Sequence, residues 1–117
     1  MSELRSKQER FASALAKLLA RVETLSGCTV TLGEAYRFPW VAEELAGQGK
    51  GIVNSVHTLR LAVDLNLFVD GVYQADSRAY AALGAFWKSL DTDARWGGDF
   101  QKRPDGNHFS FQHNGVS

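Results

Sequence analysis

Cysteine is almost absent from this chain. Cys28 is the only one, so no intramolecular disulfide can form. Set between Gly27 and Thr29-Val30, it reads as a small buried hydrophobe at the start of a strand. An excess of either charge is also missing, because thirteen Lys and Arg balance thirteen Asp and Glu. Nucleic-acid binders carry a basic excess or stripe, and membrane-surface helices carry a Lys/Arg-rich face, so both partner classes are disfavoured. No apolar run approaches the ~18 residues of a membrane span. The first ten residues are polar and charged, without the apolar segment of a secretory leader, so synthesis in the cytosol is expected. There is no internal repeat, low-complexity segment or linker. The 117 residues suit one domain with one core and leave no room for a second.

What is present is hydrophobic periodicity. Phe11, Leu15, Leu18, Leu19, Val22 and Leu25 recur at helical spacing, which predicts an amphipathic helix over residues 3–25, ended by Gly27. Residues 1–26 form a helical N-terminal segment and residues 29–112 the remaining core of the single domain. Residues 29–32, with β-branched Thr29, Val30 and Thr31, read as a strand, and 33–40 as a loop leading through Pro39 into a short helix at 42–46. Gly47, Gly49 and Gly51 mark a glycine-rich connection. Residues 61–69 form the strongest strand, with Val63, Leu65, Leu67 and Val69 on one face and Ala62, Asp64, Asn66 and Phe68 on the other. Asp70-Gly71 is a type I′ hairpin signal, with the return strand beginning at Val72-Tyr73. Ser77 is placed to cap a helix that buries Tyr80, Leu83, Phe86, Trp87 and Leu90. Trp96-Gly97-Gly98 and Pro104-Asp105-Gly106 read as loops, and Phe109 and Phe111 alternate with His108, Ser110 and Gln112 in a terminal strand. These elements predict an α+β fold: a small antiparallel sheet with flanking helices.

Three segments carry chemistry. Ser55-Val56-His57 leads into the main strand, where Asp64 lies between Val63 and Leu65. A carboxylate there needs a cation or hydrogen-bond donors; by itself the pattern also fits an Asp–Arg pair and a polar surface histidine. Asp105-Gly106-Asn107-His108-Phe109 places a histidine at a strand start, which alone is no more than a turn. In Trp96-Gly97-Gly98-Asp99-Phe100 the glycines permit close backbone approach to a ligand, or simply a turn beside a core tryptophan. Together the segments offer two imidazoles and a carboxylate, a sound Zn²⁺ ligand set with a fourth position for water. Such a site activates water and polarises a carbonyl, and Asp105, three residues before His108, supplies a base to move the proton.

The combination S-x-H-x-x-x-x-A-x-D, W-G-G-D-F and D-x-x-H-F resembles the D-alanyl-D-alanine carboxypeptidase and L-alanyl-D-glutamate endopeptidase family. These zinc enzymes include many phage endolysins and share the hedgehog/DD-peptidase fold. The resemblance covers residues 33–111. It implies that His57, Asp64 and His108 hold one Zn²⁺ and that Asp105 is the general base. An Asp in that position is more similar to the phage endopeptidases than to the dipeptidase branch, which tends to use Glu. The segment Glu34-Ala35-Tyr36-Arg37 is similar to the family's upstream segment, which casts Arg37 as the oxyanion-stabilising donor. Ser55 is expected to contact substrate or orient a ligand, and Trp96 to wall the cleft or pack the core. Arg60 stands where many members have glycine, and either meets a substrate carboxylate or points into solvent. His113, the third histidine, is expected to have no metal role.

The resemblance implies an L-alanyl-D-glutamate endopeptidase of the endolysin type, acting as a monomer on peptidoglycan stem peptides. With no leader and no wall-binding segment, it would reach the wall in the periplasm after holin-type release. A D-alanyl-D-alanine carboxypeptidase or dipeptidase, and a non-catalytic virion or wall-binding protein, are the alternatives. His₂Asp suits zinc without excluding Mn²⁺ or Co²⁺.

Overall fold

The computed structural model describes residues 3–117. Helix α1 (Glu3–Glu23) is followed by strand β1 (Cys28–Leu32), helix α2 (Pro39–Gly47) and the long strand β2 (Ala62–Val69). Strand β3 (Val72–Tyr73), helix α3 (Ala81–Leu90) and strands β4 (Ala94–Trp96) and β5 (His108–Phe111) complete the chain. Three short 3₁₀ turns, Val56–Leu59, Ser77–Tyr80 and Gly97–Asp99, sit between them. The class is α+β, with a five-stranded sheet ordered β1-β2-β5-β4 and β3 paired to β2. The pairings β1–β2, β2–β3, β2–β5 and β4–β5 are all antiparallel.

The alternation in β2 determines what lies on each side of the sheet. Val63, Leu65 and Leu67 are buried, and Asp64, Asn66 and Phe68 on the opposite face are half-buried. Against the apolar side, α1 inserts Phe11, Ala14, Leu18 and Val22, and α3 inserts Leu83 and Trp87. Phe11, Trp87 and Phe111 meet edge-on or tilted, with ring centroids 5.3–5.6 Å apart. The Trp87 Nε1–H donates to the carbonyls of Arg95 and Ser110, so the bulkiest core side chain also fastens β4 to β5. The Tyr80 hydroxyl accepts from the Leu67 amide and donates to the Gln74 carbonyl, and both ends of a buried polar group are thereby satisfied. Each fully buried Leu or Phe of this cluster stabilises the fold by ~1.5–3 kcal/mol through removal from water.

Asp70 and Gly71 both have positive φ, 49° and 81°, as a type I′ turn requires between β2 and β3. Several sequence expectations are corrected. Helix α1 ends at Glu23 and α2 begins at Pro39, where proline fits the first helical turn. Ser77 is not the cap of α3: it opens the 3₁₀ turn, which Asp76 caps by accepting from the Arg78 amide at Oδ1, and α3 itself follows Tyr80 without a side-chain cap. Cys28 is only half-buried. Of the expected loop Trp96-Gly97-Gly98, Trp96 instead closes strand β4, which pairs with β5 through Ala94–Phe111 and Trp96–Phe109, and the two glycines open a 3₁₀ turn.

Candidate metal centre

The register of β2 against β5 pairs Asp64 with His108. Asp64 directs its own amide and carbonyl the other way, to the Glu34 carbonyl at 2.8 Å and the Gly33 amide at 2.7 Å. The Asp64–His108 pair is therefore of the type without mutual backbone bonds, which brings facing side chains closest. His108 directs Nδ1 at Asp64 Oδ1, 3.4 Å away.

His57 reaches the same carboxylate from the 3₁₀ turn Val56–Leu59. Ser55 caps that turn, its Oγ accepting from the His57 amide at 3.2 Å. His57 Nδ1 donates to the Ala35 carbonyl at 2.8 Å, which leaves Nε2 as the unprotonated nitrogen of a neutral ring, 3.4 Å from Asp64 Oδ1. The Arg37 amide donates to the His57 carbonyl. Residues 33–37 thus grip both His57 and Asp64 using only their own backbone groups.

His57, Asp64 and His108 each offer one donor atom, all within 4.8 Å of one another, and form a group that can hold a metal ion. Asp64 Oδ1 and His108 Nε2 are buried without a hydrogen-bond partner. A buried carboxylate oxygen facing two imidazole nitrogens calls for a cation. Four-coordinate ligands at ~2.1 Å from a common centre stand about 3.4 Å apart by tetrahedral geometry, and the two distances from Asp64 Oδ1 to the imidazole nitrogens match this. The residues present fit a small divalent metal.

The electrostatics follow from the same contacts. Burial alone would raise the Asp64 pKa, but the imidazoles of His108 and His57 bring it down to about 2. For His57, burial disfavours the charged ring, yet Asp64 and the Ala35 carbonyl outweigh it and raise its pKa above the ordinary imidazole value. Asp105 titrates above the usual carboxylate range, because the cleft strips part of its water and Asp64 adds a like charge, against the opposing pull of His108 and His57.

The donor atoms lie in a cleft of about 690 Å³ that Arg37, Ser55 and Asp105 also line. Asp105 is held over it by two backbone bonds, its amide to the Gly97 carbonyl and its carbonyl to the His108 amide. Arg37 directs Nε and Nη2 to Glu34 Oε1, leaving Nη1 as a spare donor. The i,i+3 spacing of Glu34 and Arg37 is the sequence signal for that pair, which sequence reasoning did not use.

A family model for D-alanyl-D-alanine carboxypeptidase matches residues 48–111, over half of the chain, and takes in His57, Asp64, Asp105 and His108. The chain belongs to the D-alanyl-D-alanine carboxypeptidase family. No curated protein matches it in sequence. The fold is similar to the crystal structure of the Serratia marcescens L-Ala D-Glu endopeptidase ChiX, with a TM-score of 0.72 at 20% identity over 87% of this chain and 77% of that one.

Two expected site residues lie away from the cleft of this family member. Trp96 is in the core, 9% exposed, its ring packed against Gly84 and Gly98 and its Nε1–H donating to the Gly106 carbonyl at 2.7 Å. It braces the loop that carries Asp105 rather than walling the cleft, because an indole needs both an apolar bed and a buried acceptor. Arg60 adopts the left-handed conformation, φ 58° and ψ 38°, and stacks on the Tyr36 ring at 4.0 Å. Arg60 is exposed and does not line the cleft. His113 lies against Lys7, its Nδ1 3.1 Å from the ammonium and away from the donor cluster. No helix among the described residues is long and apolar enough to cross a membrane.

Proposed function

We propose that this chain is a zinc-dependent peptidoglycan peptidase of the endolysin type, cutting the L-alanyl–D-glutamyl bond of the stem peptide. The observation that carries the reading is the unpartnered Asp64 oxygen between His57 and His108, with a carboxylate, Asp105, on the rim of the same cleft. Asp64, His57 and His108 are assigned as the zinc ligands. A zinc ion in such a set supplies Lewis acidity and makes a water molecule more acidic.

Asp105 is assigned as the general base. It accepts a proton from the attacking water and delivers it to the amine as the C–N bond breaks. Its raised pKa suits both halves, since a stronger base takes the proton more readily and the acid form still releases it. Arg37 Nη1, spare because Glu34 occupies the other two donors, is assigned to the carbonyl oxygen as negative charge grows on it. Ser55 orients His57 by capping its turn, and Trp96 positions Asp105 through the Gly106 carbonyl.

The Asp base and the likeness in fold to an L-Ala D-Glu endopeptidase favour an internal bond. The family's description favours a second reading, removal of terminal D-alanine. Mass spectrometry of digested peptidoglycan separates them: new termini at L-Ala and D-Glu support the first, and release of D-Ala alone overturns it. Hydrolysis itself is tested with Asp105→Asn, which should lower kcat by about 10²–10⁴-fold while zinc stays bound. Unchanged turnover in that variant would remove Asp105 from the mechanism.

A further inference from the structure

The chain carries no net charge, yet four of its thirteen Lys and Arg residues line the one cleft. Lys50, Lys102 and Arg103 line the cleft with Arg37, and the carboxylates on the same lining are those of Asp64, Asp105 and the terminal residue Ser117. Asp64 is committed to His57 and His108, and Arg37 to Glu34. Among the described residues Lys50, Lys102 and Arg103 form no ion pair, with the Ser117 terminus or with any side chain. Arg103 is held across the mouth by donating from Nη1 to the Gly49 carbonyl at 3.0 Å, an uncharged acceptor that leaves its charge unbalanced. Lys50 follows the same glycine turn and Lys102 precedes Arg103, so two loops far apart in sequence place like charges around one opening. Mutual repulsion makes this arrangement unfavourable unless an anion enters between them.

We infer that Lys50, Lys102 and Arg103 form a carboxylate-reading rim, which selects peptides that keep free carboxylates close to the bond being cut. The inference rests on the peptidase reading above and adds what the cleft recognises beyond the scissile bond. A glutamyl residue suits such a rim. Whichever of its two carboxyl groups continues the chain, the other stays free as an anion beside the cleavage point. Conversion of that carboxylate to a carboxamide removes the charge with almost no change of shape, so the rim would separate the two forms electrostatically. Exposed charges of this kind act through encounter and ground-state binding more than through the chemical step.

The test uses the zinc-loaded full chain and two synthetic stem peptides, one with the free glutamyl carboxylate and one with its carboxamide. At low salt the acid form should show about tenfold higher kcat/KM, carried by KM, and the preference should shrink as salt shortens the Debye length from about 10 Å at 0.1 M to about 3 Å at 1 M. In Lys50→Glu/Lys102→Glu the acid-to-amide ratio should fall to one or below, with zinc content unchanged. Calorimetric binding of both peptides to zinc-loaded Asp105→Asn gives a readout without turnover. Equal cleavage and equal binding of the two peptides, or a preference untouched in the double variant, overturn the rim while leaving the peptidase reading intact. Selective binding of the acid peptide with cleavage of neither supports the rim and overturns the peptidase reading instead.

Discussion

The Nδ1 of His57 lies 2.8 Å from the carbonyl oxygen of Ala35, so a residue of the β1–α2 connection decides which nitrogen of a candidate metal ligand is free. The adjoining backbone does the same for Asp64 through Gly33 and Glu34. Pre-organisation of two ligands thus comes from a segment that contributes no metal donor. Its one cleft-lining side chain, Arg37, is fixed by the same connection.

These contacts predict how the metal-free protein responds to pH. His57 has a raised pKa, so its contribution to stability is fully present below about 6.5, its ordinary value, and is lost as pH rises through the elevated one. Asp64, held at about 2 against an ordinary 3.8, contributes above 3.8 and loses that contribution as pH falls towards 2. The two overlap between about pH 4 and 6.5, where the metal-free chain should melt highest. Zinc requires unprotonated imidazoles, so the increase in Tm on adding zinc should grow from pH 5.5 to 8. Thermal melts with chelator and with zinc across this range check both statements. A metal-free optimum above pH 8 would contradict the coupling of His57 to Asp64.

Much of this centre is legible in the sequence because strand alternation does the placing. Asp64 is conspicuous within an apolar strand, and the pairing of Ala62 to Asp64 with His108 to Ser110 brings the ligands face to face. Other features escape for physical reasons. Strand β4 has three residues, too few for a period to register. Asp76 and Ser77 are adjacent and equally competent caps, so composition could not choose between them. Trp96 is followed by two glycines, which looks like ligand approach but serves the fit of its own ring against Gly98 and, from α3, Gly84. The basic rim joins Lys50 to Lys102 and Arg103 across the fold, a proximity no local pattern announces.

Gly97 is a close-packing position. A Cβ there would overlap the Asp105 carbonyl oxygen and fall 2.8 Å from His108 Cβ. Backbone cannot swing aside as a side chain can, so Gly97→Ala should push the Asp105 loop and His108 apart. The expected cost is about 1–3 kcal/mol of folding stability, together with weaker zinc retention in competition with a chelator. Wild-type zinc affinity in Gly97→Ala would show that the loop and the ligand are not coupled through this contact.

Arg60 separates backbone strain from side-chain stacking. At φ 58° any non-glycine residue is strained, and the stack on Tyr36 offsets that strain. Arg60→Gly relieves the backbone while losing a cation–π contact of about 0.5–1 kcal/mol, so the net change should be near zero. Arg60→Ala loses the contact and keeps the strain, and should be less stable than Arg60→Gly by about 1 kcal/mol in urea unfolding. Equal stability of the two variants would mean that the left-handed conformation costs this turn nothing.

Ser110 offers a stabilising change. Its side chain is 0% exposed and its Oγ is buried without a partner, in a strand whose flanking residues are Phe109 and Phe111. Its carbonyl, by contrast, accepts from Trp87 Nε1, a bond that depends on backbone and survives loss of the hydroxyl. An unsatisfied buried hydroxyl costs about 1–3 kcal/mol of desolvation, and alanine removes it while vacating little volume. Ser110→Ala should therefore raise stability by about 1 kcal/mol in urea unfolding and Tm by about 4 °C. Turnover should be unaffected, since the pairing of Asp64 with His108 is set by backbone. Ser110→Val tests the size limit, because its extra methyls must enter a closed core and should cancel the gain. A loss of 1 kcal/mol or more in Ser110→Ala would demonstrate that the hydroxyl is hydrogen-bonded in solution.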